Sequence, residues 1–162
     1  MDGQSIVEIR RANLAETETA FRLVQEYFSA LKIVKREDQQ EFTREYFGDG
    51  RGLWLARVNR ELAGCVAVRP LPVADNPTPD RTSCAELKRM FVREQFRGQG
   101  VARRLLEEAE AFARASEYTW IFLDTELHMT NAARLYERNG YARCARYNHN
   151  PQGMIAMRKS IS

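Results

Sequence analysis

The amino-acid sequence predicts an α/β (α+β) protein with one domain over residues 1–162. Its core is a mixed, mostly antiparallel twisted sheet of about seven strands flanked by helices. Three observations support this prediction. A length of 162 residues fits one domain of ordinary size. Strand and helix patterns interleave in the order βααβββαβαββ. A hairpin in the middle of that order requires antiparallel neighbours, so the sheet is mixed.

The first third of the chain contains one strand pattern and two helix patterns. Ser5–Arg10 is predicted to be a strand, with Ile6, Val7 and Ile9 apolar. Asn13 followed three residues later by Glu16 resembles a capping box, so a helix begins there. A second short helix is predicted around Glu37–Phe47, where a glycine-rich stretch ends it.

The middle of the chain is predicted to form a hairpin, a long loop and a further strand. Leu53–Val58 and Leu62–Val68 read as strands joined by the short polar link Asn59–Arg60. Pro70–Ser83 contains four prolines and is predicted to be a surface loop, a type of segment that often carries function. Cys84–Val92 is the next strand.

The last third alternates helices and strands. Gly98–Ala115 has a continuous apolar face and is the strongest helix prediction. Tyr118–Leu123 is predicted to be a strand. Thr130–Asn139 is predicted to be a helix closed by Gly140, which suits a left-handed position after the last turn. The closing strand pair is predicted at Tyr141–Tyr147 and Met154–Arg158.

Composition excludes several classes of protein. The net charge of +3 is too small for a nucleic-acid-binding tail and favours an anionic ligand only weakly. Three widely spaced cysteines and two histidines argue against a disulfide framework and against a metal centre. The first ten residues lack the apolar run of a signal peptide, and no stretch reaches the ~20 apolar residues of a membrane span. We therefore expect a cytoplasmic protein without metal, nucleic-acid or membrane partners.

The most informative segment is the transition from the Cys84–Val92 strand to the following helix. A turn containing Gly98 and Gly100 opens the helix, so that free backbone N–H groups and the positive end of the helix dipole converge. An anion such as phosphate binds at such a place without a specific side chain. A P-loop is excluded because no Gly-Lys-Ser/Thr follows, and the Rossmann fingerprint fails because Arg103 occupies the third glycine position.

Three stretches together resemble the GNAT acetyltransferase family. Arg97–Ala102 matches its R/Q-x-x-G-x-G/A signature, and Glu86–Val92 is similar to its fourth strand. Downstream, Ala132–Tyr141 looks like the A-x-x-L-Y-x-x-x-G-F/Y segment of the family. The resemblance spans the region from the fourth strand to the closing strands, and it implies the GNAT fold with acetyl-CoA as the cofactor.

The resemblance also implies which backbone groups bind acetyl-CoA. Met90, Phe91 and Val92 are expected to bond the pantetheine amides and the acetyl carbonyl, which is an oxyanion-hole arrangement. The N–H groups of the turn are expected to hold the pyrophosphate; its residues are Arg97, Gly98, Gln99, Gly100, Val101 and Ala102.

Two side chains are candidates for proton transfer. Tyr136 matches the tyrosine that similar enzymes use to protonate the departing thiolate, because a phenol of pKa near ~10 can donate to a thiolate of pKa near ~8.5. The other interpretation is a buried core tyrosine. Glu86 is the candidate base for the attacking amine, placed at the mouth of its strand. Alternatively, Glu86 is a solvated strand-end charge or a salt-bridge partner of Lys88 or Arg89.

Further residues carry weaker implications. The family often has a cofactor-binding asparagine seven residues before the tyrosine, where this chain has Met129, so Asn131 is the replacement candidate. Tyr147 and Asn150 resemble a stretch near the substrate end of some family members and are candidate acceptor-binding residues. By resemblance, a homodimer is one assembly to expect.

The predicted function is transfer of an acetyl group from acetyl-CoA to a primary amine by direct attack. A small or amino-acid-like acceptor is favoured over a protein, because the charges of the first helices are mixed. The alternatives are a non-catalytic acyl-CoA sensor and a protein or peptide N-acetyltransferase. The sequence leaves the acceptor open.

Overall fold

The computed structural model describes residues 3–79, 83–126, 130–150 and 155–162. Within these ranges the helices and strands follow the predicted order βααβββαβαββ. The strands are β1 (Val7–Arg11), β2 (Gly52–Val58), β3 (Glu61–Pro70), β4 (Cys84–Val92), β5 (Trp120–Thr125), β6 (Ala142–Cys144) and β7 (Ile155–Ser160). The helices are α1 (Thr17–Ala30), α2 (Gln39–Tyr46), α3 (Val101–Ala115) and α4 (Thr130–Arg138).

The strands form one seven-stranded sheet in the order β1-β2-β3-β4-β5-β7-β6. β1 with β2, β2 with β3, β5 with β7 and β6 with β7 pair in antiparallel fashion. β4 and β5 pair in parallel, with Cys84 opposite Trp120 and Glu86 opposite Phe122. The predicted mixed and mostly antiparallel sheet is therefore confirmed.

Local sequence signals account for the elements that were predicted best. Asn13 and Glu16 form the predicted capping box, here at a short 3-10 turn that leads into α1. Asn59 and Arg60 adopt φ of 49° and 73°, the pair of left-handed residues that a tight turn of the mirror-image type requires between β2 and β3. A second capping box, between Asp38 and Glu41, begins α2.

Several boundaries differ from the prediction. The helix predicted at Gly98–Ala115 begins at Val101, because Gly98 and Gly100 adopt φ of +75° and +78°, which is incompatible with a right-handed helix. The strand predicted at Tyr141–Tyr147 extends only over Ala142–Cys144. Met154, predicted in the last strand, lies outside the described residues.

Internal contacts divide the chain into two compact units. Unit 1 comprises Met1–Arg69 and Lys88–Ala109. Its core is formed where α1 and α2 pack on the sheet, and Phe28, Phe42 and Tyr46 supply the largest side chains. Phe42 contacts both Phe21 and Tyr46 edge to face, with ring centroids 5.4 and 5.2 Å apart. These ring contacts fix α1 and α2 against each other in the core of unit 1.

Unit 2 comprises Pro70–Leu87 and Glu110–Ser162. A buried cluster is formed by Leu71, Cys84, Phe122, Tyr147 and Ala156. Phe122 and Tyr147 meet edge to face with ring centroids 5.2 Å apart. β4 contributes its first four residues to unit 2 and the rest to unit 1. The prediction of a single domain stays a prediction.

Two searches of the described residues were negative. In the described ranges, no helix is long and apolar enough to cross a membrane. No group of three or more His, Cys, Asp or Glu side chains in this part of the chain is arranged to hold a metal ion.

Candidate active site

The turn between β4 and α3 presents backbone groups to solvent. A 3-10 turn at Glu94–Phe96 follows β4, and residues 97–100 are then exposed before α3 begins at Val101. No atom lies within 4 Å of a Cβ added to Gly98 or Gly100. Glycine is therefore required here for the left-handed backbone and not for lack of space. The Nε of Arg97 donates to the Val92 carbonyl at 3.0 Å and ties the turn to the end of β4.

Most backbone N–H groups of this turn have no backbone acceptor in the described part of the chain. The N–H of Arg97 donates to the Glu94 carbonyl at 3.2 Å, and that of Arg104 donates to the Gly100 carbonyl at 3.1 Å. Among the described residues, the N–H groups from Gly98 to Arg103 donate to no backbone carbonyl. Six N–H groups without a backbone acceptor thus lie at the positive end of a fifteen-residue helix, where an anion is favoured. The residues predicted to bind pyrophosphate fit a phosphate group by their backbone.

The part of β4 in unit 1 departs from a regular strand. Arg89 adopts φ +57°, which is rare for a residue with a large side chain and breaks the extended conformation of the strand at this position. Met90 follows it half-buried, whereas Phe91 and Val92 are buried. Where a strand leaves the extended conformation, backbone N–H and C=O groups can be left without a ladder partner and so be available to a ligand. This is the segment predicted to bond the pantetheine.

Gly64 on β3 was not singled out from the sequence, yet it shapes this segment. A Cβ added to Gly64 would collide with the carbonyl oxygen of Phe91, and it would lie 3.2 Å from the Cα of Val92. Only glycine therefore lets β3 approach β4 here. A glycine inside a strand pattern is the signal that would have identified this position.

Glu86 lies in unit 2 and is not at an exposed strand end. It is 1% exposed, so the predicted position at an open mouth of the strand is wrong, and so is the solvated strand-end charge. The reason is that the first four residues of β4 all face protein. A carboxylate in such a place needs polar neighbours, because water does not solvate it.

Tyr147 is a polar neighbour of Glu86, and Asp124, which is hydrogen-bonded to Asn150, also acts on Tyr147. Burial, and then the negative charges of Glu86 and Asp124, raise the pKa of the Tyr147 phenol above its ordinary value, so it stays protonated at neutral pH. Asn150 donates from Nδ2 to Oδ2 of Asp124 at 2.6 Å. We call these four residues the Glu86 cluster. It brings together three predicted site residues, Glu86, Tyr147 and Asn150.

Asp124 was missed as a member of this cluster. The available signal was a carboxylate directly after the predicted apolar strand Tyr118–Leu123.

Tyr136 is buried on α4 in unit 2. It is 4% exposed, and its ring packs edge to face on that of Tyr141 with centroids 5.7 Å apart. Both a core role and a catalytic hydroxyl are compatible with this placement. Asn131 is exposed in the first turn of the same helix. Met129 lies outside the described residues.

Two of the three thiols, those of Cys65 and Cys144, are poorly suited to nucleophilic catalysis. Burial raises the pKa of Cys65 to about 12, and burial also raises the pKa of Cys144. A protonated thiol is a weak nucleophile. Cys65 also donates to the Arg89 carbonyl at 3.3 Å, which holds its Sγ in the core of unit 1.

Comparisons with known proteins agree with this geometry. The model of the acetyltransferase (GNAT) family matches residues 17–141. N-acetyltransferase 8 of Rattus norvegicus is 35% identical over 105 residues, which are 64% of this chain and 46% of that protein. N-acetyltransferase 8B of the same organism is 32% identical over 111 residues, which are 68% of this chain and 48% of that protein. The chain thus spans about half the length of the curated relatives it matches.

Solved structures share the fold. An acetyltransferase of the GNAT family from Staphylococcus aureus superposes with a TM-score of 0.77 at 16% identity, over 97% of this chain and 100% of that one. NAA60 of Arabidopsis thaliana, in complex with acetyl-CoA, superposes with a TM-score of 0.76 at 19% identity, over 96% of this chain and 99% of that one. At these identities the likeness concerns the fold.

Proposed function

The chain belongs to the acetyltransferase (GNAT) family, and from this premise we propose that it moves an acetyl group from acetyl-CoA to the primary amine of a small, amino-acid-like acceptor. Membership in the family agrees with the predicted enzyme class, an N-acetyltransferase, and with acetyl-CoA as its cofactor, and both are part of the proposal for this chain. The acceptor and the roles of individual residues are part of the proposal.

A single observation supports cofactor binding most directly. The turn after β4 offers uncommitted N–H groups from Gly98 to Arg103 at the start of α3. We assign the pyrophosphate to these groups, and the pantetheine arm to the backbone of Met90, Phe91 and Val92. When bound there, acetyl-CoA supplies the activated acetyl thioester.

Glu86 is the proposed base. An aliphatic amine has a pKa near ~10.4, so it must lose a proton before it can attack a carbonyl carbon. A carboxylate shielded from water can accept that proton directly or through one bound water. Tyr147, whose raised pKa keeps it protonated, faces Glu86 as a neutral polar group and does not compete for the role of base.

Tyr136 is the proposed acid. Its hydroxyl donates a proton to the sulfur of the leaving coenzyme A. We favour direct transfer over an acyl-cysteine route at Cys144, because burial raises the pKa of its thiol. The predicted homodimer and the cytoplasmic location stay predictions.

The first experiment measures thermal unfolding with acetyl-CoA, ATP or NAD. At a ligand concentration a hundredfold above Kd, acetyl-CoA should stabilise the fold by about 2.7 kcal/mol, which is a shift of several degrees. ATP and NAD should give no comparable shift. A shift with a nucleotide and none with acetyl-CoA would contradict the assignment of the turn.

Release of free thiol separates catalysis from binding alone. An enzyme releases thiol from acetyl-CoA when amines are supplied, whereas a sensor binds acetyl-CoA without turnover. A panel of small amines, amino acids and amino-terminal peptides then distinguishes a small acceptor from a peptide.

A further inference from the structure

Unit 1 contains a group of cationic side chains that the mechanism above does not use. Lys35 follows α1, Arg69 lies near the end of β3, and Lys88 and Arg89 lie in β4. The positive charges of Arg89, Lys88 and Arg69 all act on Lys35. We call these four residues the cation cluster.

The two central members of the cluster share one aromatic ring. The guanidinium carbon of Arg89 lies 4.8 Å from the ring centroid of Phe28 and 5.7 Å from that of Tyr46. The Nζ of Lys35 lies 5.6 Å from the same Phe28 centroid. Each contact is a favourable cation–π interaction, and together they hold two like charges near each other.

Positive charges outweigh the one negative charge that acts on Lys35, and Arg89 has a buried donor without an acceptor in the described ranges. Burial first, and then the charge of Arg89, lower the pKa of Lys35 from its ordinary value of 10.5 to about 8, although Glu37 at 3.6 Å opposes the shift. Arg69 is paired with Glu45. The Nε of Arg89 is buried and has no hydrogen-bond partner among the described residues. A buried, unpaired donor on a cation costs free energy that an anionic ligand would recover.

The place of Arg89 in β4 relates the cluster to the reaction. Val92 is three residues further along the strand, about 10 Å at the usual rise. The turn proposed for the pyrophosphate comes after Val92, and the segment proposed for pantetheine begins at Met90. Arg89 therefore stands at the end of the cofactor-binding segment that is opposite the pyrophosphate, which is the thioester end.

We propose that Arg89 and Lys35 bind a carboxylate of the acceptor, so that the substrate class is an amine that carries a free carboxylate. The planar fork of Arg89 matches a carboxylate in a bidentate manner, and Lys35 adds a point charge. Lys35 keeps 40% of its side chain exposed, so a solute can reach it. This inference rests on the proposed function and adds the substrate class to it.

The experiment compares amino acids with their carboxamides, which lack the carboxylate. Glycine, L-leucine and L-phenylalanine are each paired with the corresponding amide, and kcat/KM is measured for wild type, Arg89→Gln, Lys35→Gln and Arg22→Gln. Arg22 is the matched control, because it is an exposed arginine of unit 1 paired with Glu18. For each variant we take the ratio of kcat/KM for the acid to kcat/KM for the amide. Comparing this ratio between variants cancels the different basicity of the two amines.

We expect Arg89→Gln to lower kcat/KM for the acids by about tenfold or more, as for loss of a charged hydrogen bond, and to leave the amides within about twofold. Lys35→Gln should lower kcat/KM for the acids by a smaller factor. A further variant, Arg89→Lys, should give a kcat/KM for the acids between those of wild type and Arg89→Gln. Arg22→Gln should leave kcat/KM for both acids and amides unchanged. Equal losses for acids and amides would overturn the proposal. Lys35 lies at the surface, so its variant keeps the test valid if Arg89→Gln fails to fold.

A binding readout makes the test independent of turnover. In the presence of coenzyme A, N-acetyl-leucine should raise the melting temperature of the wild-type protein, N-acetyl-leucinamide should not, and Arg89→Gln should abolish the difference. If Arg89→Gln instead weakens acetyl-CoA but not its 3′-dephospho form, the cluster binds the cofactor phosphate and the proposal fails.

The outcomes separate this inference from the proposed function. Thiol release with an acid-to-amide ratio that is the same in wild type, Arg89→Gln and Lys35→Gln refutes the carboxylate site and leaves the N-acetyltransferase standing. No melting shift with acetyl-CoA and no thiol release with any amine refutes both.

Discussion

The turn of unit 1 and the Glu86 cluster of unit 2 are built in opposite ways. The turn at residues 97–100 is exposed and offers backbone N–H groups, whereas the Glu86 cluster is largely buried and offers side chains. The conformation of the turn depends on two glycines with φ near +75°. The Glu86 cluster depends on four side chains together, those of Glu86, Tyr147, Asp124 and Asn150.

This difference teaches what each region tolerates. A backbone anion site depends on conformation, so most side-chain changes around it leave it working. A buried polar cluster depends on each group, because removing one leaves its partner buried without a match. A single substitution should therefore impair activity strongly in the Glu86 cluster and only moderately in the turn.

The largest effect is expected from Glu86→Gln. The amide keeps the shape of the side chain but cannot accept a proton from an ammonium group, so kcat/KM should fall by about 10²–10⁴-fold. The acetyl-CoA melting shift should stay as in wild type, because the turn is untouched. The matched control is Glu137→Gln, an exposed carboxylate of unit 2 paired with Arg143. If kcat/KM of Glu86→Gln stays within about threefold of wild type, Glu86 is not the base and water takes the proton instead.

A smaller loss is expected from Tyr136→Phe. Removing the hydroxyl takes away the proposed acid, but a thiolate of pKa near ~8.5 leaves without strong assistance, so kcat should fall by about 10–100-fold. Tyr141→Phe is the control, because this tyrosine is the buried ring partner of Tyr136 and has no proposed catalytic role. Equal losses in the two variants would indicate a packing role for both rings.

The sequence predicted what local chemistry decides. The bounds of β4, the Asn13–Glu16 capping box and the Asn59–Arg60 turn all follow from signals within a few residues of one another. The family signature around the turn is equally local. The start of α3 was placed three residues early, because apolar periodicity does not reveal the left-handed φ of Gly98 and Gly100.

The sequence did not predict contacts between distant positions. Asn150 and Asp124 are 26 residues apart, and nothing in either neighbourhood indicates their hydrogen bond. The burial of Glu86 depends on the side chains packed around β4, which periodicity along β4 itself does not describe. Lys35 and Arg89 meet over Phe28 only because α1 packs on the sheet. Such clusters are properties of the fold.

Alanine in the turn should have a moderate effect. Gly98→Ala and Gly100→Ala each place a Cβ on a left-handed residue at a cost of about 1–2 kcal/mol, while nothing within 4 Å obstructs the new methyl group. The Kd for acetyl-CoA should therefore rise by about tenfold per substitution, as measured by calorimetry. Gly3→Ala is the control, because no atom lies within 4 Å of a Cβ there either. Unchanged affinity in both variants would remove the turn from the cofactor site.

The smallest expected effect is a pH-dependent stability of the cation cluster. Burial, together with Arg89, Lys88 and Arg69, lowers the pKa of Lys35 to about 8 against the attraction of Glu37, whereas the unfolded chain titrates near 10.5. Below pH 8 Lys35 is charged in both states and the folded state bears the full penalty. Between pH 8 and 10.5 the folded state has released the proton and the unfolded state still holds it, so stability rises with pH.

Lys35→Met removes this titration. Because 40% of the side chain is exposed and solvent screens the charge, the gain at pH 7 should be ~0.5–1 kcal/mol, or about 1–3 °C in melting temperature. The gain should vanish near pH 10.5. Lys32→Met is the control for replacing a surface lysine by methionine. A gain that does not depend on pH would come from added apolar contact, and the like-charge repulsion that makes the cation cluster receptive to a carboxylate would then lack support.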